Sequence, residues 1–282
     1  MGMRLSGKDI ALSIKEDIKN FIEERKSNGK RIPKVASILV GSDPGSIYYM
    51  NAQEKVALSL GLEFEKVIIQ DNVEEVEIIE KINELNRRED VDGMILQLPL
   101  PKAFNEKAIV SNICSEKDID CLTNDNVGKL YLGEDGFIPC TPNSVLTCLK
   151  KSGVEIQGKE VVVVGRSNIV GKPVAQLLLN ENATVTICHS RTKDLKEVCR
   201  RADILVVAIG KPMFITKDFL KKDVVLIDVG TSSLNGKITG DVDYEDCYDT
   251  ASLITPVPGG VGALTTTLLL KNACEALIKH EN

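Results

Sequence analysis

The chain has 282 residues, enough for one large domain or two of ordinary size. Its 43% hydrophobic and 27% charged residues are typical of a globular protein and exclude an intrinsically disordered one. The net charge of −6 leaves no excess of Lys and Arg to neutralise phosphates, so the composition argues against a dedicated nucleic-acid binder.

The eight cysteines contain no C-x-x-C pair and are accompanied by only two histidines, so we predict no metal site. In the absence of a secretory signal, free thiols in a reducing cytoplasm are expected. The longest apolar runs, "ILVVAI" and "VVVV", have the length of strands, and no membrane span is predicted.

The first half of the chain alternates between helix and strand patterns. Apolar residues at helical spacing predict helices over 8–28 and 74–90. Buried strands are predicted over 34–40, 63–70 and 91–101. Such alternation predicts βαβ units and a mainly parallel sheet.

The segment "GSIYYMNAQEK" (45–55) follows a Pro-Gly turn and is predicted to be helical. Residues four apart share a helix face, which places Tyr49 beside Gln53, whereas Lys55 points about 120° away from Tyr49. The pattern fits an active-site helix, and it also fits an amphipathic surface helix with half-buried tyrosines.

The second half starts a new α/β pattern after a loop-rich passage over 114–140. A helix over 141–153, which Pro142 can open and Gly153 can close, contains the predicted domain boundary. Four apolar strands and further helices follow, as expected of a parallel sheet covered on both faces. The last predicted helix, 263–280, is long enough to pack back on the first domain.

A glycine turn, "VVVVGRSNIVGKP" (161–173), joins a strand to a helix. Backbone N–H groups at such a helix start can bind a phosphate. Only Gly165 and Gly171 are present, so the G-x-G-x-x-G dinucleotide fingerprint is not met, and an ordinary βα turn is the alternative.

The next strand ends in "CHSRT", where an NAD enzyme usually carries an acidic residue for the ribose hydroxyl. Here Ser190 and Arg191 occupy that place, and Arg166 lies in the preceding turn. Hydroxyl and guanidinium groups suit a 2′-phosphate, which favours NADP over NAD. His189 fits a packing residue at a strand end equally well.

Four further segments have the composition of ligand-binding loops. "AIG" (208–210) and "DVGT" (228–231) follow two strands of the second sheet, where open sheets bind ligands, although plain turns also use such glycines. "TPVPGGVGALT" (255–265) can approach a flat ligand or form a tight crossover. "LQLPLP" sets Gln97 at a strand end, where its amide can contact a heterocycle's edge.

Taken together, these segments resemble the methylenetetrahydrofolate dehydrogenase/methenyltetrahydrofolate cyclohydrolase family over nearly the whole chain. The motifs that carry the resemblance occur in family order: "DGMILQLPLP", "KDID…NVGKL", "PCTP", "VVVVGRSNIVGKPVAQLLL", "CHSRT" and "TPVPGGVG". The resemblance implies an α/β protein with an N-terminal three-layer catalytic domain, a C-terminal Rossmann-type NADP domain and a folate cleft between them. We place the folate-binding domain at 1–145, completed by the helix at about 265–282, and the NADP domain at 146–264.

The resemblance also implies the site residues. For the folate it implies Tyr49, Gln97, Leu98, Pro99, Asp120, Pro258, Gly259 and Gly260, and for catalysis Tyr49, Gln53, Gln97 and Asp120. For NADP it implies Gly165, Arg166, Ser167, Ile169, Val170, His189, Ser190, Arg191, Ala208, Gly210, Gly230 and Thr231. It further implies a cytoplasmic homodimer in one-carbon metabolism.

Three positions depart from the family pattern. Gln53 replaces a lysine implicated chiefly in the cyclohydrolase step, Cys121 replaces a glycine, and Ala263 replaces a proline. Hydride transfer needs no strong base, whereas hydrolysis needs proton transfers that a primary amide cannot supply. We therefore predict that dehydrogenase activity is retained and cyclohydrolase activity is weak or lost. The alternatives are a fully bifunctional enzyme producing 10-formyltetrahydrofolate, with Lys55 or a water chain replacing the amine, and a silent nucleotide-binding regulator.

Overall fold

The computed structural model describes residues 2–234 and 236–281 and divides into two compact units. The six-stranded unit contains the residues up to Leu12 together with Pro139–Thr265. The three-stranded unit contains Ser13–Ile138 together with the residues from Thr266 onward. Residues 1, 235 and 282, which fall inside the predicted domains, lie outside the described residues.

The secondary structure follows the predicted alternation through most of the chain. The strands are β1 (Met3–Arg4), β2 (Lys34–Val40), β3 (Glu63–Ile69), β4 (Gly93–Leu96), β5 (Glu160–Val164), β6 (Thr184–Cys188), β7 (Ile204–Val207), β8 (Val224–Asp228), β9 (Ser232–Leu234), β10 (Lys237–Thr239) and β11 (Ala251–Ile254). The α-helices are α1 (Gly7–Ser27), α2 (Pro44–Leu60), α3 (Glu75–Arg87), α4 (Glu106–Val110), α5 (Asn124–Leu132), α6 (Cys140–Lys151), α7 (Gly171–Asn180), α8 (Leu195–Cys199), α9 (Tyr244–Cys247) and α10 (Thr265–Glu281).

The larger sheet is parallel throughout, with strand order β1-β11-β8-β7-β5-β6. Its central strands β5 and β7 are buried along almost their whole length, which accounts for their unbroken apolar sequences. From β5 the chain first forms β6 on one side and then β7 on the other. This reversal is the topological switch point at which open α/β sheets bind ligands.

The smaller sheet is also parallel, with the order β3-β2-β4. Helix α2 begins after Asp43, whose carboxylate accepts a hydrogen bond from the Ser46 backbone N–H at 2.8 Å, and ends at Gly61 with φ +88°. The apolar core of this unit packs β2 and β4 against residues of α3 such as Ile78 and Ile82. The predicted three-layer catalytic domain therefore has its sheet in this unit.

Several short elements differ from the sequence prediction. The passage 114–140, predicted to be loop-rich, contains α5, which Thr123 caps and Gly133 ends with φ +72°. At nine residues this helix is too short to show a clear period. The strand predicted over 91–101 shrinks to Gly93–Leu96, before the two prolines.

The predicted boundary between 145 and 146 lies inside α6, which belongs entirely to the six-stranded unit. The residues up to Leu12 also belong to that unit, because β1 pairs with β11. A two-residue strand carries too little pattern to be recognised in sequence. The residues of α10 from Thr266 onward belong to the three-stranded unit.

Candidate active site

The turn after β5 requires glycine at two positions. Gly165 has φ +141°, and a Cβ there would lie 2.3 Å from the Ala208 carbonyl oxygen. A Cβ on Gly171 would lie 2.3 Å from the Gly165 carbonyl oxygen. A side chain at either position would collide with the backbone, which explains why both residues are glycine.

Ser167 fixes the start of α7. Its hydroxyl accepts hydrogen bonds from the backbone N–H groups of Val170 at 3.2 Å and Gly171 at 3.3 Å. The predicted cofactor residue Ser167 therefore serves the conformation of the turn, and Val170 is held by it.

A cavity of about 290 Å³ opens beside this turn, at the carboxyl ends of β5, β6 and β7. It is lined by Val164, Gly165, Arg166, Ser167, His189, Ser190, Leu195, Ala208, Ile209, Lys211 and Phe214. Three strand ends that are distant in sequence are thus brought together at the switch point.

Six predicted cofactor residues do not line this cavity: Ile169, Val170, Arg191, Gly210, Gly230 and Thr231. Ile169 is 70% exposed, and Arg191 is exposed with its backbone N–H donating to His189 Nδ1 at 3.1 Å. Their contact with a cofactor stays a prediction.

Sequence reasoning missed Leu195, Lys211 and Phe214, and it named Ile209 only as part of the segment "AIG". Lys211 Nζ lies 5.4 Å from the centre of the Phe214 ring, so the segment after β7 contributes a cation and an aromatic ring. The one sequence signal for Lys211 and Phe214 is their position shortly after "AIG", at the end of a central strand.

The cavity has the donors that a phosphorylated nucleotide needs. Arg166 and Lys211 are cationic, Ser190 supplies a hydroxyl, and among the described residues that line the cavity none is acidic. The residues present therefore fit a dinucleotide with an additional phosphate.

In the three-stranded unit, Gln97 and Gln53 are hydrogen-bonded to each other. Gln97 is 6% exposed, and its Nε2 donates to Gln53 Oε1 at 2.7 Å and to Ser37 Oγ at 3.0 Å. Lys55, on the same helix, is exposed. Tyr49 is 61% exposed and stands edge-on to Tyr48 with ring centres 5.9 Å apart, so its ring is available for stacking.

The loop that carries Asp120 is anchored by the side chains of Asp118 and Lys117. Asp118 is buried, and its carboxylate accepts hydrogen bonds from Leu122 N at 2.9 Å and from Thr123 N at 2.8 Å. Burial raises the pKa of Asp118. Asp120 itself is half-buried, which is compatible with its predicted role as a substrate acceptor.

Lys117 ties the start of this loop to the residues at the end of α3. Its buried Nζ donates to the carbonyl oxygens of Leu85, Asn86 and Arg88 at 3.1, 2.9 and 2.6 Å, and burial lowers its pKa. Lys117 therefore serves the conformation of the loop, and the contact of Asp120 with a substrate stays a prediction.

The glycine loop at 258–260 belongs to the six-stranded unit. Gly259 has φ +103°, and its carbonyl oxygen accepts the Lys8 N–H at 3.3 Å. A Cβ on Gly7 would lie 2.0 Å from the Gly260 carbonyl oxygen, so the loop packs on the start of α1. Leu98 is half-buried and Pro99 exposed in the three-stranded unit, directly after Gln97. The predicted folate residues are thus divided between the two units.

Within residues 2–234 and 236–281, no group of three or more His, Cys, Asp or Glu side chains could hold a metal ion. None of the helices described there combines the length and apolar character that a membrane crossing requires.

Comparison with known proteins identifies both halves of the chain. Residues 5–120 match the family model for the tetrahydrofolate dehydrogenase/cyclohydrolase catalytic domain, and residues 139–281 match the model for the NAD(P)-binding domain of the same family. The bifunctional protein FolD of Clostridium botulinum (strain Eklund 17B / Type B) is 65% identical over 282 residues, covering 100% of both chains.

Solved structures agree with the family models. A bifunctional FolD methylenetetrahydrofolate dehydrogenase/cyclohydrolase from Campylobacter jejuni has a TM-score of 0.96 and 40% identity, covering 99% of each chain. The Trypanosoma brucei methylenetetrahydrofolate dehydrogenase-cyclohydrolase, complexed with NADP cofactor and inhibitor, has a TM-score of 0.91 and 36% identity, covering 99% of this chain and 98% of that one.

Proposed function

Because this chain belongs to the tetrahydrofolate dehydrogenase/cyclohydrolase family, we propose that it is an NADP-dependent methylenetetrahydrofolate dehydrogenase with weak or lost cyclohydrolase activity. The observation that carries the second half of the proposal is the hydrogen bond between Gln97 and Gln53. The amide of Gln53 is held by this bond at the position where the family resemblance implies the amine of a lysine.

The dehydrogenase half follows from the cavity at the switch point. NADP, when bound, supplies the nicotinamide ring that accepts the hydride. Arg166, Ser190 and Lys211 would hold its phosphates, beside the turn at Gly165. The chain's task in this half is to position two rings, which requires no titrating residue.

The proposed folate-binding residues come from both units. We propose that the Asp120 carboxylate accepts two N–H bonds from the amino-pyrimidinone edge of the pterin, a charge-assisted contact. Tyr49 would stack on the ring, and Gln97 would hydrogen-bond it from its buried position. Pro258, Gly259 and Gly260 complete the set of proposed folate residues.

The hydrolytic half requires proton transfer to and from water and the ring nitrogen. A half-buried lysine with a lowered pKa can carry a proton in such a step, whereas the Gln53 amide does not titrate. Lys55 is exposed on another part of α2, which speaks against its replacing the missing amine.

Two assays on the purified protein test the proposal. One follows NADP reduction with methylenetetrahydrofolate, and the other follows loss of methenyltetrahydrofolate without nucleotide. Rapid reduction with slow hydrolysis is expected. Rapid hydrolysis would instead support the bifunctional alternative, which the name of the Clostridium botulinum relative favours. Absence of both activities would support a silent regulator.

We also propose a homodimer formed through the six-stranded unit. Strand β6 ends the sheet order and is paired on one side only among the described strands, and Ile187 on it is 42% exposed. Such an edge can pair with a second copy. Size-exclusion chromatography with light scattering measures this directly. Free cysteines, seven of them buried, support the proposed cytoplasmic location.

A further inference from the structure

The carboxylate of Asp241 is completely buried beside the end of β7. Its Oδ2 accepts hydrogen bonds from two consecutive backbone N–H groups, Ile209 at 2.7 Å and Gly210 at 2.9 Å. Its Oδ1 has no hydrogen-bond partner among the described residues. A buried acceptor without a partner lowers stability, so this acid is poorly explained as a device for stability alone.

The backbone around Asp241 is itself fixed from β8. Asp228, buried at the end of that strand, accepts the Asp241 N–H at 3.1 Å and the Val242 N–H at 2.9 Å. The Asp241 carbonyl oxygen in turn accepts the Ile215 N–H at 3.0 Å. The segment 209–215 is thus tied to residue 241 at both of its ends.

These contacts determine one wall of the nucleotide cavity. With the Ile209 N–H turned to Asp241, the carbonyl of the same peptide unit, that of Ala208, faces Gly165 at the close approach described above. The segment that Asp241 holds also carries Lys211 and Phe214, which line the cavity. A Cβ on Gly230 would lie 2.2 Å from Asp241 Cγ, so the end of β8 is shaped by the same carboxylate.

We propose that Asp241 is a positioning residue for NADP, acting through the backbone of Ile209 and Gly210 without touching the cofactor. The inference rests on the proposed function, because it assumes that the cavity binds the dinucleotide. It predicts that loss of the Asp241 carboxylate displaces Lys211 and Phe214 and weakens NADP binding.

The test compares Asp241→Ala with Asp203→Ala by calorimetric titration with NADP, because alanine, unlike asparagine, leaves no oxygen to accept the backbone N–H groups. Asp203 lies at the opposite end of β7, where its Oδ2 accepts the Glu160 N–H at 2.9 Å and its Oδ1 pairs with Lys221, so it controls for the loss of a carboxylate–backbone contact far from the cavity. Asp241→Ala is expected to raise the Kd for NADP by about tenfold or more, since small misplacements are costly in preorganised sites. The KM for methylenetetrahydrofolate and kcat at saturating NADP should change less than about twofold, because ground-state binding alone is removed.

An unchanged Kd for NADP in Asp241→Ala, or an equal rise in Asp203→Ala, would overturn the inference. If the wild type binds no NADP, the proposed function fails instead, so the two failures are distinguishable. If Asp241→Ala does not fold, hydrogen exchange on the wild type decides. The Ile209 and Gly210 amides must be protected before NADP is added, and exchange at the rate of exposed loops would refute the proposal.

Discussion

Replacing Gln53 with lysine is the most direct test of the proposal that cyclohydrolase activity is weak or lost. In the wild type, Gln97 Nε2 donates to Gln53 Oε1 at 2.7 Å, and lysine has no acceptor to receive that bond. The Gln97 amide must therefore turn to present its oxygen to the new ammonium, while Ser37 can act as either donor or acceptor.

The expected gain in the hydrolytic rate is large compared with the expected loss of stability. Exchange of the hydrogen bond and partial burial of an ammonium should lower the free energy of unfolding by about 1–2 kcal/mol. A positioned acid–base group contributes roughly 10²–10⁴-fold to a rate. A hundredfold gain in the hydrolytic rate corresponds to a decrease of about 2.7 kcal/mol in the activation barrier. Such a gain can be measured even if the variant is slightly less stable than the wild type.

The assay is nucleotide-free loss of methenyltetrahydrofolate, measured beside NADP reduction. Gln53→Lys should raise the hydrolytic rate by at least about tenfold, below the full range because the surrounding residues are adapted to an amide. Dehydrogenase kcat should change less than about threefold, because hydride transfer does not use this residue.

Two matched variants make the result interpretable. Ser59→Lys adds a lysine to an exposed position of the same helix and should give no gain. Lys55→Gln should leave any residual hydrolysis of the wild type unchanged. A gain in Ser59→Lys equal to that in Gln53→Lys, or no gain in either, would refute the assignment of lost hydrolysis to the missing amine.

Three further predictions concern the cofactor and stability. Arg191→Ala should raise the KM for NADP by roughly tenfold or more and leave the KM for NAD unchanged, since one charge-assisted hydrogen bond contributes about 1.5–3 kcal/mol; equal effects would show that Arg191 does not contact the 2′-phosphate. Arg31→Ala should lower the free energy of unfolding in urea by about 2–4 kcal/mol, because the buried Asp92 carboxylate loses two hydrogen bonds from the Arg31 guanidinium, at 2.8 and 2.6 Å. As a control, Lys150→Ala, which removes an exposed ion pair with Glu181, should lower it by less than about 1 kcal/mol. Burial raises the pKa of Asp228 to about 7, above that of an unfolded aspartate, so between about pH 4 and 7 the folded state binds a proton that the unfolded state does not. The free energy of unfolding should therefore rise as the pH falls from 8 to 5. Asp228→Asn should show a smaller rise, and a pH profile identical to that of the wild type would contradict the raised pKa of Asp228.

Much of the fold was predictable because the strands have distinctive sequences. The apolar runs of β5, β7 and β8 predicted a buried parallel sheet, and β2 begins and ends at the predicted residues. The elements that were missed are short. The pairing of β1 with β11 is a contact between the two ends of the six-stranded unit, which local periodicity does not encode.

The site was predictable where motif and strand end coincide. His189 and Ser190 follow β6, and the structure brings them to the cavity with Arg166. Lys211 and Asp241 could not be found in this way. Lys211 reaches the cavity through the path of the segment after β7, and the role of Asp241 depends on hydrogen bonds to residues about thirty positions earlier in the chain.

The departures from the family pattern at Cys121 and Gln53 differ in kind. Cys121 has φ +56°, a left-handed conformation that explains why the family uses glycine there. A non-glycine residue in it costs roughly 1–2 kcal/mol, which burial of the thiol side chain can offset. The departure at Cys121 therefore concerns the backbone conformation beside Asp120. Gln53 is hydrogen-bonded to Gln97, which in turn is hydrogen-bonded to Ser37. None of these three side chains titrates near neutral pH, so none can replace a proton carrier at position 53. If cyclohydrolase activity is reduced as proposed, Gln53→Lys should restore it and Cys121→Gly should not.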